Sequence, residues 1–180
     1  MQRDISGVYL LGLILFSTAC APGKMKVQTY DKSFSLSNYK TFAFAEIDVD
    51  NQLDSSYAQR IEWMTTELVK GLEGEGLKQI EANPELVLNL GITLEEKVQT
   101  RETNMTTNPP NYIGQRNYKW EVEEVPIGTY EEGTAVLDFV DGKSLKLVAQ
   151  STATAVLSKK NEQALQHIQD GVQRLLKKIK

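Results

Sequence analysis

The sequence predicts an α+β two-layer sandwich, in which a mostly antiparallel sheet of about five to six strands carries two amphipathic helices on one face. Three observations support this fold class. Leucine and isoleucine alternate strictly with other residues over residues 86–94, which is typical of a strand with one buried face. Apolar residues recur at helical spacing over residues 55–73 and again over 161–178. An Asp-Gly pair at 141–142 separates two alternating runs, as in a β-hairpin.

The first predicted helix has start and stop signals. Ser56 and Gln59 stand at the spacing of a capping box, which satisfies free backbone N–H groups at a helix start. Three glycines follow its apolar residues: Gly71, Gly74 and Gly76. We expect these glycines to end the helix, with one of them in the left-handed conformation of a C′ residue.

Strands and loops are predicted on both sides of this helix. Two strands precede it, over about residues 26–30 and 40–45, and the polar residues 46–53 lead from them to the helix. Further along, residues 99–117 are polar, contain two adjacent prolines and show no apolar period. This segment therefore predicts a loop or flap.

A further strand is predicted before the hairpin. It covers residues 118–125, and Pro126 and Gly128 are expected to close it. In the hairpin that follows, Asp141 and Gly142 predict a tight turn with positive φ angles.

The second strand of the hairpin and the last helix are expected to pack together. One face of that strand carries mostly small side chains: Leu147, Ala149, Ser151, Ala153, Ala155 and Leu157. So many small side chains predict a helix pressed close against the sheet. In the last helix, Asp170 and Arg174 have the i,i+4 spacing of an ion pair.

The single cysteine, Cys20, follows an apolar run at residues 7–16. The run is too short to span a bilayer but has the length of the apolar core of a secretory signal. Three small residues precede the cysteine, as in a lipoprotein signal, where the thiol receives a diacylglycerol and cleavage makes this residue the new N-terminus. We expect a lipoprotein signal peptide over 1–19, an acylated cysteine and tether over 20–26, and a single α+β domain over 27–180. A buried core cysteine or secretion without lipid are the alternatives.

Composition excludes several classes of function. The net charge is −4, and no basic block with interleaved aromatic residues occurs, which argues against a nucleic-acid partner. Acylation of Cys20 would leave no thiol, and a single histidine, His167, cannot complete a usual metal set. No glycine-rich phosphate-binding motif occurs, so the sequence predicts no cofactor.

Several segments resemble a known family. They read YKTFAF, then PELVLNLGITLEEK, then YEEGTAVLDFVDGKSLKLVAQSTATAVLS, followed by the last helix. Together they are similar to a family of small bacterial lipoproteins, domain-of-unknown-function 4136, over about Val27 to Ile179. The resemblance implies a lipid-anchored envelope protein with an α/β domain, and it implies no established activity, substrate or catalytic residue.

Acidic residues offer one possible route to catalysis. Two carboxylates facing each other across a cleft can act as a glycosidase pair. The candidates for such a hydrolase are Glu121, Glu123, Glu131 and Asp138. The alternative is a solvated strand face, whose charges oppose aggregation at a sheet edge.

Aromatic residues on or near the predicted flap offer a possible interaction site. They are Tyr112, Tyr118, Trp120 and Tyr130, and we add Asp138 because it lies inside an apolar strand. Such a group can line a groove for a protein or a glycan. Packing at the end of the sheet is the alternative.

The leading hypothesis is a non-catalytic envelope protein, held to a membrane through lipid on Cys20, that binds a partner during envelope assembly or maintenance. Two other functions stay open: a carboxylate hydrolase, and a small-ligand carrier, which requires an apolar cavity between the helices and the sheet. Since Ala21 follows the cysteine and no acidic run comes after it, we expect the outer membrane and its periplasmic face.

Overall fold

The structure is a computed structural model that describes residues 23–49, 57–104, 106–107 and 122–179. Within these residues it contains one six-stranded sheet and two α-helices. The strands are Lys24–Thr29 (β1), Thr41–Val49 (β2), Lys78–Gln79 (β3), Leu86–Glu102 (β4), Glu124–Asp141 (β5) and Leu147–Val156 (β6). The helices are Ala58–Gly74 (α1) and Asn161–Ile179 (α2).

The sheet is mixed but mainly antiparallel. Its strand order is β1-β6-β5-β4-β2-β3. β1, β6, β5 and β4 pair antiparallel, whereas β2 pairs parallel with both β3 and β4. Parallel neighbours need a crossover connection, and α1 provides it between β2 and the strands that follow. Both helices lie on one face of this sheet, which confirms the predicted α+β sandwich.

The core occupies the middle of the sheet beneath the two helices. Alternate residues of β4 point into it, and Leu86, Leu88 and Leu90 are buried as the alternating pattern predicts. The connection between β1 and β2 also reaches the core. Leu36, in a single turn of 3-10 helix at residues 36–38, is buried there, and the ring of Phe34 packs beside it.

The three glycines at the end of α1, Gly71, Gly74 and Gly76, have separate roles. Gly71 and Gly74 lie inside α1, so only Gly76 acts as the predicted left-handed residue, with φ at 95°. A Cβ atom at Gly71 would lie 2.6 Å from Cδ1 of Leu176 on α2 and 3.2 Å from Cγ1 of Val172. Gly71 therefore lets the helices approach closely near their C-terminal ends.

Two strands extend beyond their predicted ends. β2 continues through residues 46–49, which were expected to form a loop, because β4 pairs with it as far as Val49 and Ile92. β4 likewise continues through residues 99–102, because β5 pairs with it as far as Glu124. β1 begins at Lys24, so it includes part of the segment assigned to the tether.

β5 does not end where its proline and glycine predict. It runs without interruption from Glu124 to Asp141 and passes through Pro126 and Gly128. A register shift in the β4–β5 pairing falls at this point. The pairing of β5 with β6 begins only at Glu132, so this part of β5 has one neighbouring strand and a proline without an N–H is tolerated.

The turn between β5 and β6 is longer than the predicted Asp-Gly turn. Asp141 Oδ1 accepts hydrogen bonds from the backbone N of Ser144 at 2.7 Å and its Oγ at 2.8 Å. The bond from the Ser144 backbone is the main reason that the pKa of Asp141 is lowered from its usual value. Leu145 holds a positive φ of 56°, whereas Gly142 does not, so the predicted positive φ at Gly142 is wrong.

A bulge at Val148 changes which residues of β6 point toward the core. The pairing passes from Phe139 with Ala149 to Val140 with Leu147, which leaves Val148 as the extra residue. As a result, Val148 is buried, and Leu147, which was predicted to face inward, is 37% exposed.

Candidate functional site

A cavity of about 200 Å³ lies between the inner face of the sheet and the two helices. Its floor comes from β4, β5 and β6, with Ile92, Ala135 and Ala153 near the centre. Its roof is apolar as well. The roof residues are Ile61, Met64 and Leu68 from α1, and Ala164, Ile168, Val172 and Leu175 from α2.

Small side chains on the floor account for this space. Gly133, Ala135, Ala153 and Ala155 line the cavity where larger side chains would fill it. Beyond the cavity, Leu72 and Leu176 are buried between the helices and the sheet and separate the two layers. The predicted close contact of helix and sheet is wrong over these small residues, because a gap lies there.

The ionisable side chains that line the cavity are mainly basic. They are Arg60 from α1, and His167 and Arg174 from α2. Tyr57 also lines the cavity, and no Asp or Glu does so among the residues that the structure describes. His167 is exposed at the rim.

Arg174 is the basic residue most tightly held by its surroundings. Its Nη1 donates a hydrogen bond to the backbone carbonyl of Gly23 at 3.2 Å. Its Nε is buried and has no hydrogen-bond partner within the described part of the chain. Because Arg174 turns toward β1, the predicted ion pair with Asp170 does not form. Lys178, one turn further along α2, donates to the carbonyl of Met25 at 3.1 Å.

Arg60 lies at the other end of the cavity, where both helices begin. Its Nη2 donates to Oδ1 of Asn161 at 3.3 Å, and its guanidinium carbon lies 5.6 Å from the centre of the Tyr57 ring. The Tyr57 hydroxyl donates to Oε2 of Glu131 at 2.6 Å. This chain of contacts ties α1 and α2 to β5.

The predicted interaction residues are not brought together by the described structure. Cys20, Tyr112, Tyr118 and Trp120 lie outside the described residues. The two remaining residues are on β5, where Tyr130 pairs with Lys97 of β4 and Asp138 accepts a hydrogen bond from Nε2 of Gln150 at 2.7 Å. Asp138 alternates with the buried Leu137 and Phe139, so it lies on the sheet face opposite the cavity.

The predicted carboxylates are dispersed. Glu121 lies outside the described residues, Glu123 is exposed beside the far end of β4, and Glu131 bonds Tyr57 on the helix side of the sheet. Asp138 is on the opposite face, so these carboxylates do not meet in one cleft.

Other acidic residues along β5 have structural contacts. Glu132 is paired with Lys97 of β4, and this hydrogen bond raises the pKa of Lys97. Across residues 23–49, 57–104, 106–107 and 122–179, no group of three or more His, Cys, Asp or Glu residues could hold a metal ion. No helix of the described chain is long and apolar enough to cross a membrane.

Sequence reasoning did not place the cavity or its basic rim. The small residues of β6 were the available signal, but we interpreted them as close packing of a helix, and small side chains can equally leave a gap. The spacing of Arg174 and Asp170 pointed to an ion pair on the helix surface, because the position of β1 beside α2 cannot be read from a helical period.

A two-layer domain of this kind agrees with the family that the sequence resembles. The chain belongs to the family described as "Domain of unknown function (DUF4136)", whose model matches residues 26–179. No curated protein shows significant sequence similarity to the chain.

Solved structures with some likeness come from several bacteria. A PDZ domain protein from Parabacteroides distasonis has 15% identity and a TM-score of 0.48, over 83% of this chain and 35% of that protein. A PelC dodecamer from Paraburkholderia phytofirmans has 11% identity and a TM-score of 0.47, over 86% and 97%. A lipoprotein from Neisseria meningitidis has 10% identity and a TM-score of 0.41, over 77% and 99%. With TM-scores below 0.5, these similarities establish no common function.

Proposed function

We propose that this protein is a lipid-anchored cell-envelope protein that binds an apolar ligand without transforming it. The observation that carries the proposal is the apolar cavity between the helices and the sheet. Of the functions left open by the sequence, the small-ligand carrier is the one that requires such a cavity. The dispersed carboxylates give a hydrolase less support, since a glycosidase pair must face one substrate.

The chemistry of the lining favours an apolar ligand. Aliphatic side chains such as Ile61, Ile92 and Val172 cannot hydrogen-bond to water in the cavity. Displacing poorly ordered water with an apolar group is favourable. Apolar cavities of about 150 Å³ already admit benzene, so the observed volume of about 200 Å³ is sufficient for part of an alkyl chain.

The anchor would keep the cavity close to a source of alkyl chains. Gly23 lines the cavity, and Cys20 comes three residues before it. Three extended residues reach at most roughly 10 Å, so lipid on Cys20 would hold the cavity near a bilayer surface. The outer membrane and its periplasmic face are our proposed location, on the basis of the residues that follow the cysteine.

The anchor is tested with Cys20→Ser. We expect the wild-type protein to fractionate with membranes and to carry the extra mass of its lipid. The variant should lack that mass and leave the membrane fraction, because the serine hydroxyl does not replace the acylated thiol. Equal membrane retention and an unaltered mass in the variant would show that Cys20 is not the anchor.

Ligand binding is tested on the processed chain from residue 20 with Cys20→Ser, which contains every helix and strand of the structure. We expect calorimetric titration to detect decan-1-ol binding with a negative heat-capacity change, the mark of apolar burial. Ala153→Phe places a ring in the cavity and should weaken binding at least tenfold.

Thr152→Phe is the matched control, because it adds the same ring to the opposite face of β6. It should leave decan-1-ol affinity within about twofold of the parent. Circular dichroism checks that both variants fold. If the parent does not bind decan-1-ol, or if both variants bind it equally well, the carrier function is wrong.

A further inference from the structure

We infer that the ligand is a single-chain fatty acid, with its alkyl chain in the cavity and its carboxylate at Arg174. This inference rests on the proposed function and adds the chemical class of the ligand. It depends on three observations: the charge of the cavity lining, the unsatisfied Nε donor of Arg174 and the volume of the cavity.

The lining selects for negative charge. Arg60 of α1 and Arg174 of α2 line one cavity, and no described Asp or Glu lines it with them. Glu131 accepts a hydrogen bond from the hydroxyl of Tyr57, whose ring lies 5.6 Å from the Arg60 guanidinium carbon. A cationic ligand head would meet uncompensated positive charge, whereas an anionic head would be stabilised by it.

Arg174 provides the most specific partner for a carboxylate. Its Nη1 is engaged by the carbonyl of Gly23, but its buried Nε has no hydrogen-bond partner among the described residues. A buried donor without a partner is costly, more so on a charged group. The planar guanidinium presents its donors in a fork that matches carboxylate oxygens, so a fatty-acid head would satisfy a donor that the protein leaves open.

The cavity volume favours one chain over two. About 200 Å³ lies below the range of roughly 300–1,000 Å³ that is usual for drug-sized ligands. Neutral acyl chains, such as those of the proposed lipid on Cys20, would fill the apolar part but would leave the Nε donor of Arg174 open. A free fatty acid would fill the apolar part with its alkyl chain and would satisfy the Nε donor of Arg174 with its carboxylate.

The test compares three ligands with the same ten-carbon chain at pH 8: decanoate, decan-1-ol and decyltrimethylammonium. The protein is the processed chain with Cys20→Ser. We expect decanoate to bind at least tenfold more tightly than the alcohol, because charge-assisted hydrogen bonds are stronger than neutral ones. The cationic ligand should bind most weakly.

Arg174→Gln should remove the preference for decanoate over decan-1-ol, because glutamine carries no positive charge. Circular dichroism checks that this variant folds, and measurable decan-1-ol binding checks that its cavity is retained. Lys177→Gln is the matched control, since it removes one positive charge from the same helix at an exposed position that does not line the cavity. It should retain the decanoate preference.

The outcomes separate this inference from the proposed function. Equal affinity for all three ligands, or a decanoate preference that survives Arg174→Gln, overturns the fatty-acid assignment at Arg174 and leaves the apolar carrier in place. Failure of every ligand to bind overturns the carrier function itself.

Discussion

Replacing Phe139 by alanine should lower the free energy of unfolding by about 3–5 kcal/mol, the usual loss for a fully buried aromatic side chain. Phe139 has 0% exposure and lies on β5, between Leu88 of β4 and Ala149 of β6. Its ring centre is 6.1 Å from that of Phe34, in the connection between β1 and β2. Alanine would leave a void shared by three strands and this connection, and the backbone of a central strand cannot move to close it.

Urea denaturation of the two proteins measures the effect, with Leu147→Ala as the control. Leu147 was predicted to face the core, but the bulge at Val148 leaves it 37% exposed. Its replacement should therefore cost about 1 kcal/mol or less. If Leu147→Ala were as destabilising as Phe139→Ala, the register of β6 in the structure would be wrong.

Elements with a strong local period could be predicted from the sequence. The alternation of Leu86 to Leu94 identified the buried face of β4, and apolar residues at helical spacing identified α1 and α2. Each of these patterns lies within one element, because the burial of one face determines which side chains are apolar there. The α+β class followed from these same patterns.

Features that depend on a partner strand could not be predicted in this way. Pro126 and Gly128 are common chain breakers, yet β5 continues through them because β4 pairs with it there. The bulge at Val148 reverses the expected orientation of Leu147 for the same reason, since strand pairing and not local sequence determines where the extra residue falls.

The cavity depends on the distance between two layers, which no local pattern encodes. The helices pack closely near their C-terminal ends, where a Cβ atom at Gly71 would lie 2.6 Å from Cδ1 of Leu176. The cavity extends along both helices, from Tyr57 and Ala164 to Leu68 and Leu175, and lies over Ala153 and Ala155 of β6. The same pair of helices thus packs on the core and covers the cavity, so the proposed ligand site would require no separate domain.

Replacing Gly142 by alanine should destabilise the fold by about 3 kcal/mol, at the upper end of the usual cost of overpacking. A Cβ atom at Gly142 would overlap the backbone carbonyl oxygen of Pro84 and would lie 3.1 Å from that of Glu85. The Gly142 N–H also donates to the Glu85 carbonyl at 2.8 Å, which holds the turn against this segment. Because the obstructing atoms belong to the backbone, a side-chain rotation cannot relieve the overlap.

Gly128→Ala is the matched control for the Gly142 variant. Gly128 lies on β5, where a Cβ atom would have no neighbour within 4 Å, and its φ is not positive. Alanine at this site should be neutral or stabilising by up to about 1 kcal/mol, because it reduces the entropy of the unfolded chain. Thermal and urea denaturation of both variants measure the difference. Equal stability of the two variants would contradict the packing of the β5–β6 turn against Pro84, and with it the placement of the turn beside the start of β4.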